Sequence, residues 1–292
     1  LRPREVEATA FQAPFPATSG VNPAGLLAPV NLIGPMSEAM QRLKEQVGGD
    51  LVAYVRERLG YPAGTNVAQY FFGDQIDAIA QAIHTAENGG ALVIGDQTGT
   101  GKGRIAAGLI KYAVRRGLVP VFVTKNQDLY DAMLDDLQDI GAPEVVPLIT
   151  NEKIEEKSLR QKLRDLGADQ GQVAFENVTA NALPGNANVI FTTYDQIRSD
   201  DAKGISKAER ARAKRDMEAP PGSWRMAALR RVAPNAMFIL DESHLAGGQS
   251  TTGWRFAELL AVAKHAYYSS ATFAKRPDNM GIYFRTNLGR VG

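Results

Sequence analysis

Apolar residues fall along the chain in two alternating rhythms. Short unbroken runs occur at 91–94 (Ala-Leu-Val-Ile), 119–124 (Val-Pro-Val-Phe-Val-Thr), 145–149, 188–193 and 236–240 (Ala-Met-Phe-Ile-Leu). None shows the polar alternation of a half-exposed strand, so each predicts a strand buried on both faces. Between them apolar positions recur at helical spacing, as at Ile76, Ile79, Ala80 and Ile83, across 105–114, and from about Tyr130 to Ile140. Strands alternating with helices predict an α/β fold, a doubly wound parallel sheet that binds ligands at the C-terminal ends of its strands. Upstream, Met40, Leu43 and Val47, then Leu51, Val52, Val55 and Leu59, predict two amphipathic helices broken at Gly48-Gly49. Residues 1 to about 35 are rich in Pro, Gly, Ala and Ser without a period, and predict an extended arm. Scattered Phe11, Phe15, Leu26, Leu27, Val30 and Leu32 suggest that the arm lies along a surface. The expected division is an arm with accessory helices over 1–60 and one lobe over 61–292, with peripheral insertions at about 151–186 and 199–224.

Residues 95–104 read Gly-Asp-Gln-Thr-Gly-Thr-Gly-Lys-Gly-Arg, between the strand at 91–94 and the helix at 105–114. This is the context of a phosphate loop. Gly99, Gly101 and Gly103 permit close backbone approach, and the N–H groups of Gln97, Thr98, Thr100 and Arg104 join them in an anion cradle. Lys102 adds a positive charge for the β- and γ-phosphates of a nucleoside triphosphate. The pattern departs from G-x-x-x-x-G-K-[ST] at Asp96 and at Gly103, where the usual hydroxyl ligand of Mg²⁺ is missing. A water or another residue must replace it.

Three further features surround the loop in sequence. Gln75 stands near the start of the helix at about 74–83, where several ATPases place an amide that reads both edges of adenine; Asp74 is positioned to cap that helix. The strand at 236–240 delivers Asp241-Glu242-Ser243-His244, which suits Asp241 to holding Mg²⁺ and Glu242 to deprotonating the attacking water. His244 is a candidate link to a neighbouring lobe or a core histidine. Ser270 and Thr272 end a strand beside the acidic pair, and Thr124 and Lys125 end another, where they could reach a nucleic-acid backbone, as could Thr192 and Thr193.

Composition narrows this picture without redirecting it. The 292 residues are 44% hydrophobic, enough for an ample core, and the net charge of +1 with a pI near 8.1 imposes no global field toward nucleic acid. A local basic cluster does occur, with Lys203, Lys207, Arg210, Arg212, Lys214, Arg215, Arg225, Arg230 and Arg231. Either it contacts phosphates or it is a solvated face. The absence of cysteine excludes disulfides and cysteine-ligated zinc. No apolar run reaches transmembrane length and no secretory signal is visible, which predicts a cytoplasmic protein. The first residue is Leu1, which points to a piece of a longer chain.

The Gln75 helix, the loop, Asp241 to His244 and Ser270 to Thr272, in that order, resemble the first RecA-like lobe of a superfamily 2 helicase or translocase. The glycine in Gly-Lys-Gly-Arg at 101–104 and the Ser-Ser-Ala-Thr at 269–272, followed by Arg276-Pro-Asp-Asn-Met280, are similar to the strawberry notch family and its phage and plasmid relatives. The resemblance implies ATP and Mg²⁺ as cofactors, hydrolysis coupled to DNA, a second RecA-like lobe that supplies arginines, and coupling roles for Thr124, Lys125, His244, Ser270 and Thr272. It further implies a phage or bacterial origin inside a larger protein. One competing reading is a scaffold module that has lost hydrolysis. Another, a P-loop kinase or GTPase, is disfavoured because no Asn-Lys-x-Asp appears.

Overall fold

The computed structural model describes residues 7–95, 101–199, 215, 224–247, 250–272 and 277–287. Six parallel strands form the sheet: β3 (Leu92–Ile94), β4 (Val119–Thr124), β5 (Pro147–Ile149), β6 (Val189–Thr193), β7 (Ala236–Asp241) and β8 (His265–Ser269). β1 (Gln12–Pro14) and β2 (Leu27–Pro29) make a separate antiparallel pair near the N-terminus. In space the six run β3-β8-β7-β4-β6-β5. The strand before the phosphate loop is therefore not beside the strand that delivers Asp241; β8 lies between them, paired in parallel with both.

Helices cover both faces, which is why the strands read as unbroken apolar runs. On one face α3 (Gly73–Glu87), α4 (Lys102–Arg115) and α5 (Asp128–Asp139) pack on Phe122, Phe191, Met237, Ile239 and Tyr267. On the other α8 (Tyr194–Ser199), α9 (Trp224–Val232) and α10 (Thr251–Val262) pack on Val121, Val123, Ile190, Phe238, Leu240 and Tyr268. Alternate residues of β4 and β7 thus feed opposite cores, as strand geometry requires.

The N-terminal segment differs from the expected arm in one respect. Helix α1 (Val30–Gln46) starts before Gly34-Pro35 and carries Pro35 within its second turn, so the arm ends at Pro29. Only one intrahelical bond is lost at Pro35, and Met40 and Leu43 bury the remainder of the helix against the same core as α2 (Leu51–Arg58) and α3. The arm does lie along a surface. Asp77 accepts from the N–H groups of Thr18 (2.6 Å) and Ser19 (2.9 Å), and Asp74 from that of Ala24 (2.6 Å). Asp74 therefore holds the arm and does not cap α3. Burial lifts both carboxyls above the ordinary aspartate value, and the arm's N–H groups pull them part of the way back.

Residues 152–185, within the first expected insertion, form helices of their own. They contain α6 (Lys157–Asp165) and α7 (Gly171–Ala174) and bury Ile154, Leu159, Leu163, Phe175 and Val178.

Candidate functional site

At the C-terminal edge of the sheet, Gly101 precedes α4 with φ 82° and ψ 22°, a left-handed conformation that glycine adopts freely. Among the described residues no side chain caps α4, which leaves the positive end of a 14-residue helix at this edge of the sheet. Lys102, the first residue of that helix, is buried, with only 8% of its surface exposed. Gln75 is buried beneath it. Its Oε1 accepts from the Phe72 N–H (3.0 Å) and its Nε2 donates to the Gly101 carbonyl (3.4 Å), so its amide ties α3 to the end of the loop. Asp96, Gln97, Thr98, Gly99 and Thr100 lie outside the described residues.

Strand β7 brings Asp241 to the same edge. Thr124 Oγ1, at the end of the neighbouring β4, donates to Asp241 Oδ2 (3.1 Å), and the Tyr194 hydroxyl donates to the Asp241 carbonyl (2.7 Å). Burial lifts the Asp241 carboxyl above the ordinary aspartate value, opposed by the Thr124 bond and the charge of Lys102. The chain then turns at Glu242, with φ 50° and ψ 47°, the one non-glycine residue among those described with positive φ. That turn sends His244 back toward β8. His244 Nδ1 lies 2.8 Å from Ser270 Oγ and 3.3 Å from Glu242 Oε2. Ser270 Oγ also accepts from the Thr272 N–H (3.1 Å), and the Ser270 N–H donates to the Ile94 carbonyl (3.0 Å). One chain of contacts therefore joins the end of β3, the segment after β8, and Glu242.

Gly101, Lys102, Gly103, Asp136, Asp241 and Glu242 line one cavity of about 320 Å³, with Phe122, Leu129 and Met133 as its apolar wall. That volume falls at the lower end of ordinary ligand pockets. Among the described residues no three His, Cys, Asp or Glu side chains converge closely enough to hold a metal ion. A hard cation that binds through one carboxylate, phosphate oxygens and water still fits, and Mg²⁺ is bound in that way beside phosphates.

Several expected contributors are placed elsewhere. Arg104 is not on the cavity wall: its guanidinium bonds Asp136 (3.4 Å), Asp139 and the Tyr70 carbonyl (3.2 Å), and its backbone N–H, the group expected in the phosphate cradle, donates to the Gly101 carbonyl (3.1 Å). Thr124 is fully buried against Asp241, out of reach of a nucleic-acid backbone, while Lys125 is exposed. Thr192 and Thr193 are also buried. Of the basic cluster, Arg230 pairs with Glu258 (2.5 and 3.0 Å), Arg231 donates to the Val178 and Phe175 carbonyls, and Arg225 donates to the Thr150 carbonyl. These three staple α9 to its surroundings. Arg215 is exposed, and Lys203, Lys207, Arg210, Arg212 and Lys214 lie outside the described residues.

The backbone at Glu242 makes a measurable prediction. A left-handed conformation costs a side-chain-bearing residue about 1–2 kcal/mol, whereas an ordinary exchange to glycine lowers stability by about 0.5–1 kcal/mol. Glu242→Gly should therefore leave the unfolding free energy unchanged or raise it by about 1 kcal/mol in urea titrations. A loss above about 1 kcal/mol would mean that the turn is unstrained.

Comparison with known proteins yields one family. Residues 73–290 match the model described as P-loop containing NTP hydrolase pore-1. Two solved structures of a Sulfolobus solfataricus SWI2/SNF2 ATPase, the core in complex with dsDNA and the core domain alone, are each 16% identical over 75% of this chain, with a TM-score of 0.45. The chain spans only 36% and 35% of their respective lengths. No curated protein matches the sequence.

Proposed function

The chain belongs to the family of P-loop containing NTP hydrolase pore-1 proteins, and from that premise we propose that it is the ATP-binding lobe of a DNA-dependent superfamily 2 helicase or translocase. The observation that carries this reading is the convergence of Lys102, Asp241 and Glu242 on one cavity, with α4 presenting its uncapped N-terminus to that edge. Lys102 binds the β- and γ-phosphates. Asp241 holds the water shell of Mg²⁺, which neutralises developing charge when bound, and Glu242 accepts the proton of the attacking water. Gln75 sets the end of the loop, and reading adenine would require its buried amide to leave the Phe72 N–H and the Gly101 carbonyl.

Coupling to DNA runs through His244. Its ring spans Glu242 and Ser270, so a shift of the segment after β8 alters the position of the catalytic carboxylate. The reading includes a second RecA-like lobe that supplies arginines over this edge, and strawberry notch-like kinship with a phage or bacterial source, suggested by Gly103-Arg104. Among the described residues no helix is long and apolar enough to cross a membrane. Gly103 favours a second reading, a nucleotide-binding scaffold without turnover, because the loop lacks its metal-side hydroxyl.

The deciding measurement is ATP binding by this chain, followed by turnover in its native polypeptide with and without duplex DNA. Binding with DNA-stimulated turnover supports the motor, and binding without turnover supports the scaffold. Absence of nucleotide binding overturns both.

Acidity supplies another prediction. The Asp241 carboxyl binds its proton more tightly than an ordinary aspartate, so it must lose that proton at a higher pH before it can face Mg²⁺. Mg²⁺-dependent affinity for ADP should decline, as pH falls, above the ordinary aspartate range, and Asp241→Asn should flatten that profile in calorimetric titrations. The same shift works against the fold: stability that the protonated carboxyl contributes below its unfolded-state value is lost as pH rises through the raised value.

A further inference from the structure

The phosphate loop carries Gly103 where its pattern calls for a hydroxyl, and the structure puts a specific group in the space that the missing side chain leaves. A Cβ built on Gly103 would sit 2.5 Å from Asp136 Oδ2, closer than real Cβ atoms approach any neighbour. Residue 136 is one helix away, on α5, and its carboxylate reaches over Gly103 into the cavity that also holds Lys102, Asp241 and Glu242. The other oxygen, Oδ1, accepts from Arg104 Nε (3.4 Å), so the carboxylate is anchored on one side. Arg104 is in turn fixed by Asp139 and the Tyr70 carbonyl. A serine or threonine at 103 would therefore displace the Asp136 carboxylate from where its bond to Arg104 now holds it.

We propose that Asp136 takes over the metal-side role of the absent loop hydroxyl, with Oδ2 accepting from the water shell of the Mg²⁺ that accompanies the bound nucleotide. This rests on the nucleotide-binding reading of the same cavity. The role is one of positioning the cation's water, since no three carboxylates among the described residues converge on a common point. It follows that Gly103 is not a lost ligand but half of an exchange whose other half is acidic. A carboxylate suits this place because Mg²⁺ beside phosphates keeps several waters, and each needs an acceptor. Arg104, the residue after Gly103, supplies the countercharge that lets an acid approach the phosphates.

The test is calorimetric titration of ADP into the 292-residue chain, with Mg²⁺ and again with EDTA, for wild type, Asp136→Asn and Gly103→Ser/Asp136→Ala. Asparagine keeps an oxygen for Arg104, and thermal melting checks the fold of each variant. The gain in ADP affinity on adding Mg²⁺ should fall about tenfold in Asp136→Asn, the usual effect of removing an outer-shell partner. Affinity in EDTA should stay level or improve, because a negative charge near phosphate has gone. Gly103→Ser/Asp136→Ala, which has room for the serine, should recover most of the gain. A purely structural Asp136 would instead lower stability and both affinities together. If Asp136→Asn retains the Mg²⁺ gain within twofold, the proposal is overturned while nucleotide binding stands. If wild type binds no ADP under either condition, the nucleotide reading fails and this one with it.

Discussion

Gly101→Ala should destabilise the chain by about 2–4 kcal/mol and weaken ADP binding with it. Two independent costs meet at this position. The backbone conformation, φ 82° and ψ 22°, is left-handed, which costs alanine about 1–2 kcal/mol. An added Cβ would also fall well inside contact distance of Gln75 Nε2. Gln75 is buried, with its amide bonded to Phe72 N–H and the Gly101 carbonyl, so it must leave both partners to make room, at about 1 kcal/mol each. Because α4 starts at the next residue, any accommodation rotates Lys102 and the helix end proposed to face the phosphates.

Gln75→Ala separates the two costs. It removes the steric cost and leaves the conformational one, so Gly101→Ala/Gln75→Ala should be less destabilised than the sum of the single exchanges by about 1 kcal/mol or more. The measurement is urea unfolding followed by fluorescence of the two tryptophans, with ADP affinity measured on the same samples. Strict additivity would show that the Gln75 amide does not support the loop.

That pairing also marks where the sequence stopped being informative. The strand at 119–124 and the helices on either side of the loop were legible because both faces of the sheet are buried and the apolar periods are clean. That Lys102, Asp241 and Glu242 meet at one cavity was legible because a strand–loop–helix boundary and a strand end are local features. The strand order was not, since pairing β8 between β3 and β7 joins segments about 170 residues apart. Nor was the partner of Asp241. Thr124 reads as the last residue of a strand, and only the parallel register of β4 with β7 turns its hydroxyl toward the carboxylate. Charge was the least legible: Arg225, Arg230 and Arg231 read equally as phosphate contacts or as a solvated face, and within the fold they serve carbonyls and an acid. A guanidinium satisfies several buried carbonyls at once, and composition does not reveal which use it has found.

Glu242→Gln should reduce ATP turnover of the native polypeptide by about 10³-fold while leaving ATP affinity within about threefold of wild type. The exchange is isosteric and retains the Glu242 side-chain length, the left-handed turn and the carbonyl oxygen near His244, so ground-state contacts with the phosphates are preserved. On the proposed mechanism it removes the proton acceptor for the attacking water, a loss felt only as the bond to water forms. His244→Ala should behave differently. It breaks the bridge between Glu242 and Ser270 but leaves the carboxylate, so basal turnover should survive while stimulation by DNA falls. The pair of variants is therefore diagnostic of where coupling enters. Equal loss of basal and stimulated turnover in His244→Ala would place the histidine in catalysis and remove it from coupling. Unchanged turnover in Glu242→Gln would transfer the base to another group on the cavity wall, where Asp136, lifted above the ordinary aspartate value by burial, is the nearest candidate in kind. The strain held at Glu242 argues against that outcome: a backbone forced left-handed at a glutamate costs stability with no return unless the carboxylate at that point is used.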